Sequence, residues 1–182
     1  MKNIIKPLFS VAAIGLMCSM SGCLKQGLDE LQNSNQKAMT SVDYTYRFLY
    51  TDTIQKGTTK QEIVPDRVCE VLFKKNVVST KENDLDGFTT TLSYDINSVL
   101  KAGPTGSVTK AMLFAEFDKQ IRKSQLSRLW VYVTVSDVAT IIPIADAPKL
   151  GSPGDFSKDH VYQVKAADGS TKNYFIKTIP GF

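Results

Sequence analysis

Histidine, tryptophan and cysteine are scarce in this 182-residue chain, which has one His, one Trp and three Cys. A single histidine, His160, leaves no histidine pair for metal or acid–base work, and neither a phosphate loop nor a nucleophile elbow occurs. Two of the cysteines, Cys18 and Cys23, lie in an N-terminal leader, so Cys69 has nothing to pair with and no internal disulfide is expected. A domain without disulfides must rest on its apolar core, and Cys69, between Val68 and Val71 in an apolar run, reads as part of that core rather than as a nucleophile. Charge of one sign is lacking too. The 22 Lys+Arg and 18 Asp+Glu are interspersed, and the leader removes Lys2 and Lys6 but no acid, so the rest is close to neutral and no nucleic-acid partner is expected. There is no repeat array, and no apolar run, that of the leader included, is long enough to span a bilayer.

What is present begins at the N-terminus. Lys2 and Lys6 precede an apolar run from Leu8 to Met17, followed by Met20-Ser21-Gly22-Cys23. This pattern predicts a lipoprotein signal peptide over residues 1–22, cleaved after Gly22, with the Cys23 sulfur carrying the diacylglyceryl group. Cys18 is the poorer acceptor because Leu16-Met17 before it are bulky. An ordinary secretory signal or a short anchor helix are the alternatives. The expected location is the outer membrane, held through the N-terminal lipid, with the cell surface and the periplasmic face both open. Residues 23–41 read as the lipidated cysteine and a polar tether, long enough as a flexible coil to hold the domain roughly 20 to 25 Å from the bilayer. Asp29-Glu30 resemble, at a longer spacing, the acidic surface-export signals of Bacteroidota lipoproteins.

Residues 42–182 read as a β-rich domain. Tyr44, Tyr46, Phe48 and Tyr50 alternate with Asp43, Thr45 and Arg47, which predicts a strand with an aromatic core face. Arg67–Lys75 and Gly87–Tyr94 read as further strands. In Leu129–Val135 the aliphatic Leu129, Val131, Val133 and Val135 face one way and Trp130, Tyr132 and Thr134 the other. Between them Leu113, Phe114, Phe117 and Ile121 recur at helical spacing behind Ser107 or Thr109 as cap, which predicts one amphipathic helix. Val138–Ile144, His160–Ala166 and Thr171–Ile179 complete the strands, the last two as a hairpin closed at Asp168-Gly169. The stretch Ala145–Asp159, with Pro148, Gly151, Pro153 and Gly154, reads as a long crossing loop.

Val135-Ser136-Asp137-Val138-Ala139-Thr140, Ala147-Pro148-Lys149-Leu150-Gly151 and Tyr162-Gln163-Val164-Lys165-Ala166-Ala167-Asp168-Gly169-Ser170-Thr171-Lys172 carry a resemblance to the immunoglobulin-like domains of Bacteroides lipoproteins. In those a Tyr-x-Val-x-Ala strand enters an acidic-Gly-Ser/Thr turn before the final strand, and many are encoded beside polysaccharide-utilisation systems. The resemblance covers roughly residues 127–182. It implies an immunoglobulin-like β-sandwich, here with one helix packed on it, and carries no catalytic residue.

Candidate sites are few. Glu82-Asn83-Asp84-Leu85-Asp86-Gly87 has the front half of a calcium loop, but Thr89–Tyr94 lacks the closing acid, so it reads as a polar turn and no metal or cofactor is expected. Asp137, Asp155 and Asp159 sit where turns and caps account for them, and no carboxylate pair has a local rationale, so the chain is not expected to be an enzyme. The remaining candidates are Trp130 and Tyr132, aromatic planes suited to stacking on sugar rings unless a helix or second β layer covers them. The expected function is therefore a membrane-anchored, non-catalytic accessory of a surface glycan- or nutrient-uptake system. The alternative is a structural or adhesion lipoprotein that binds an outer-membrane protein, by adding a strand at an open sheet edge among other modes.

Overall fold

The computed structural model describes residues 34–101, 103 and 105–182; the signal peptide, Cys23 and the first part of the tether lie outside them. Two five-stranded sheets and one helix make up the described residues: a β-sandwich with one helix, as the sequence pattern predicts. In chain order the strands are β1 Met39–Ile54, β2 Glu62–Leu72, β3 Lys74–Glu82, β4 Leu85–Ser93, β5 Val99–Lys101, β6 Leu129–Val135, β7 Thr140–Pro143, β8 Pro153–Gly154, β9 His160–Lys165 and β10 Thr171–Pro180. The helix α1 is Lys110–Ser124. The first sheet runs β5-β2-β1-β6-β8 and the second β3-β4-β10-β9-β7.

The C-terminal strands do not stand alone. β6 pairs with β1 in the first sheet, and β10 lies parallel to β4 in the second, so residues 127–182 complete both sheets and form no separate unit. The tether ends earlier than its polar composition suggests. β1 starts at Met39, whose side chain is buried, and the residues before it are tied down: Tyr174 Oη donates to the Lys37 carbonyl (3.1 Å) and Ala38 N–H to Ser136 Oγ (2.9 Å).

Alternation along β1 explains its burial. Val42, Tyr44, Tyr46 and Phe48 point inward and are buried, while Asp43 and Leu49 are exposed on the outer face. The inward row meets two different neighbours. Tyr44 accepts a hydrogen bond from Thr178 Oγ1 of the second sheet (3.2 Å), whereas Tyr46 packs on Phe117 of α1 (ring centroids 5.5 Å apart) and donates to Gln120 Oε1. α1 begins at Thr109, whose Oγ1 caps Met112 N–H (3.2 Å), and buries Leu113, Phe117 and Ile121 along the stripe its spacing predicts. Phe117 also meets Phe73 (5.9 Å) and Tyr94 (4.8 Å). Phe73 is the residue at which the chain leaves the first sheet for the second, so the aromatic cluster forms where the layers and the helix converge. Burying each such ring contributes roughly 1.5–3 kcal/mol.

β3 was not expected beyond Lys75. Its segment Lys-Lys-Asn-Val-Val-Ser-Thr-Lys-Glu is an edge strand exposed over most of both faces, and a strand that buries neither face has no period-two signal to read. The Glu82–Gly87 acidic stretch is the β3–β4 hairpin: Asn83 and Asp84 both adopt positive φ (49° and 64°), the conformation of a two-residue primed turn. The β9–β10 hairpin closes at Gly169 (φ 87°), with Asp168 Oδ1 accepting from Ser170 N–H at 2.8 Å.

Candidate binding face

The outer face of the first sheet is set by register. Directly opposed residues share a face, which places Asp43 beside Tyr132, Thr45 between Leu72 and Trp130, Arg47 beside Glu70, Leu49 beside Val68, and Leu100 beside Glu70. Trp130 and Tyr132 thus lie where their alternation predicts. The helix packs on the opposite, inner face against Tyr46, so it leaves both aromatics half-exposed. Trp130 and Leu72 flank Thr45, which is shut off from water although it belongs to the outer face. Tyr132 lies against Gly151 of the long crossing loop, and Gly151 N–H donates to the Val131 carbonyl (2.9 Å).

Arg47 ties the aromatics to the polar centre of the face. Its guanidinium stands 5.7 Å from the Trp130 ring centroid and donates to Glu70 Oε1 from Nη2 (2.6 Å) and Nε (2.9 Å). Glu70, and to a smaller degree Tyr132, hold it even more firmly protonated than an ordinary arginine. Around this pair the surface is aliphatic: Leu49 is 61% exposed, and Val68, Leu72 and Leu100 are exposed as well. A groove of about 500 Å³ runs beside Trp130, walled by Arg47, Leu49, Val68 and Arg128 and reaching Phe48 and Gln120 on the inner side. Tyr132 does not line it. The two sequence-predicted contact residues are therefore on one face but not in one groove. Arg47, Leu49 and Arg128 were not singled out from sequence; the one available signal was that Arg47 and Leu49 occupy the outward positions of the aromatic strand.

Other chemistry-bearing residues have structural roles. Cys69 is fully buried, and burial pushes its thiol up to about 11, which keeps it protonated and unreactive. It lies on β2 of the first sheet and His160 on β9 of the second. His160 is buried with Nε2 against the Asp155 carbonyl (2.7 Å) and its ring edge-on to Phe156. Asp155 accepts from Ser157 N–H (2.9 Å) in a turn, and Asp159 faces Lys177 (3.6 Å).

The most charged interior cluster was invisible in sequence. Asp52, with no exposed side-chain surface, accepts from Arg67 Nη1 (2.7 Å) and Lys101 Nζ (2.9 Å) through Oδ2, and from Thr53 N–H (2.8 Å) and Val108 N–H (2.9 Å) through Oδ1. Burial alone would raise this carboxyl. Lys101 and the two backbone donors outweigh it and bring it down to about 2. Gly106 packs so closely that a Cβ there would fall 2.2 Å from Asp52 Oδ1. The cluster clamps the segment before α1 onto β1 and β2.

Fold and face together define a two-sheet β-sandwich with one amphipathic helix packed on the inner face of the first sheet, whose outer face is open and partly apolar. Residues 39–177 match the DUF5018-related family model, and the chain belongs to that family. A crystal structure of a Bacteroides fragilis protein described only as secreted shares the fold, with a TM-score of 0.52 and 24% identity over 81% of this chain and 97% of that one. No curated protein matches the chain.

Proposed function

We propose that this chain is a non-catalytic envelope lipoprotein, anchored to the outer membrane through Cys23, that works by binding a partner protein on the outer face of its first sheet. The observation that carries this is the row of exposed aliphatic residues, Leu49, Val68, Leu72 and Leu100, gathered around Arg47 and Trp130 on one face. Scattered single apolar side chains are ordinary on a surface, but a contiguous set with an aromatic and an arginine at its centre has the composition of an interface core. The leader sequence and the secreted fold relative support the envelope location. The inward-held His160 and the protonated Cys69 support a role without catalysis.

A second reading, an accessory role in glycan uptake, is favoured by Trp130 and Tyr132 standing on the open side of the sheet beside the hydrogen-bonding Arg47–Glu70 pair.

A photo-crosslinking residue at position 49 of the full-length protein in its native host tests the first reading. One discrete protein adduct is expected from position 49 and none from the still more exposed Val138; identical adducts from both, or none, would overturn it. Trp130 is the only tryptophan, so its emission reports on the second reading. An emission change with one polysaccharide of a panel, lost in Tyr132→Ala, establishes glycan binding, and no change with any of them ends it.

A further inference from the structure

β1 is left without a neighbour along part of one edge in the middle of the first sheet. Its pairing with β6 stops at Thr45–Trp130, and the next contact on that side is the isolated bridge between Ile54 and Gly106. Two hydrogen bonds fix where the backbone groups between them point. Phe73 N–H donates to the Tyr44 carbonyl (3.3 Å), so Tyr44 and the even-numbered residues after it turn toward β2. Ser107 N–H donates to the Thr53 carbonyl (2.9 Å), so the odd-numbered residues turn the other way. The one irregularity in the β1–β2 ladder does not disturb this alternation. Tyr50 pairs with Arg67 and Asp52 with Val64, which puts the extra residue on β2. Arg47, Leu49 and Thr51 therefore direct their N–H and C=O groups at the open side, where no described residue pairs with them.

Those of Arg47 and Leu49 lie along the groove beside Trp130, and Thr51 continues the row at ladder spacing. Its walls carry two guanidinium groups and no carboxylate. Arg47 is occupied by Glu70, and the nearby Glu116 accepts from Gln120. Arg128 is exposed and has no hydrogen bond or ion pair among the described residues.

We propose that an extended segment of a partner polypeptide, about five residues long and bearing an acidic side chain, adds to β1 as a strand across Arg47, Leu49 and Thr51. The acid pairs with Arg128, while apolar side chains of the segment rest on Leu49 and Val68. This rests on the protein-partner reading and specifies how the partner is held. A polypeptide is the occupant because the unmet groups are alternating amide donors and acceptors, which another backbone matches residue for residue; the charge of the groove selects the acid.

The test uses synthetic peptides about ten residues long, alternating valine and threonine with one aspartate scanned along them, titrated against the full-length protein in detergent and read by Trp130 emission. Binding is expected for a subset of aspartate positions, and N-methylation of the peptide backbone on one edge should weaken it roughly tenfold. Leu49→Pro removes an amide aimed at the groove together with the leucine side chain and should weaken binding roughly tenfold more than Leu49→Ala, which keeps that amide and loses only the apolar contact. Arg128→Gln should lower affinity about fivefold for the aspartate peptide and leave its asparagine counterpart unchanged. If Leu49→Pro fails to fold, amide exchange in the unmodified protein decides. Arg47, Leu49 and Thr51 should exchange freely, flanked by protected Tyr46, Phe48 and Tyr50, and become protected on adding peptide. Indifference to N-methylation, or no peptide binding at all, overturns strand addition. A protein adduct at position 49 together with that indifference leaves the protein-partner reading standing and removes only the strand. Emission changes with a polysaccharide and with no peptide overturn both.

Discussion

The two halves of β1 are built from the same alternating pattern and end in different environments. From Met39 to Thr45 the strand is flanked by β6 and its inward residues reach the second sheet; from Tyr46 to Ile54 β2 is its only strand neighbour, and a helix and an ion cluster take the place of the missing layer. The first half is held by its ladder with β6 and by packing on the second sheet, so no single side chain dominates it. The second half depends on a few residues that each fill a role nothing else shares. Because β6 does not extend past Thr45, the edge of this half on that side is left open to a partner.

Phe117→Ala should break the comparison most severely. Phe117 is fully buried against Tyr46, Phe73 and Tyr94, and its loss should cost about 4 kcal/mol by urea denaturation, with amide protection falling first in Tyr46–Ile54. Asp52→Asn should cost about 3 kcal/mol, because Arg67 and Lys101 keep their charge in a buried site without a counterion. The pH dependence has a definite sign. The folded carboxyl lies near 2, below its usual 3.8, so its contribution is fully present above the unfolded value and disappears as pH falls from about 4 toward 2. Acid titration of stability should show that decline in the unmodified protein and a shallower one in Asp52→Asn. Gly106→Ala pushes a methyl group into the same carboxylate and should cost about 2 kcal/mol, with β1–β6 protection unchanged. In the first half, Tyr44→Phe removes the hydroxyl that receives Thr178 and should cost only about 1 kcal/mol. An effect of Tyr44→Phe as large as that of Asp52→Asn would show that the halves are equally dependent on single contacts.

Much of the sandwich was legible because burial on one face writes period two into a strand. β6 has the bounds its pattern predicts, the aromatic row of β1 is buried through Phe48, and α1 buries the stripe its spacing predicts. β3 was not legible, since neither of its faces is buried along its length. The candidate site was legible by halves. Alternation located Trp130 and Tyr132 on the outer face, but nothing local revealed that α1 packs on the other side, that Arg47 reaches Trp130, or that Arg128 closes a groove with Leu49. Those facts depend on which strands become neighbours, and Thr45 and Trp130 are far apart in sequence.

By itself the sequence determined the class: a mostly β domain without disulfides, one amphipathic helix, two aromatics set opposite the aliphatic face of one strand, and no local catalytic motif. These follow from periodicity and composition, which act between residues close along the chain. Only the tertiary structure decided that β4 and β10 run parallel, that Asp52 gathers Arg67, Lys101 and the Val108 amide, and that β1 outruns β6 and bares one edge. Each depends on strand order and strand length relative to a distant partner, and burial rewards those pairings only once the layers have closed.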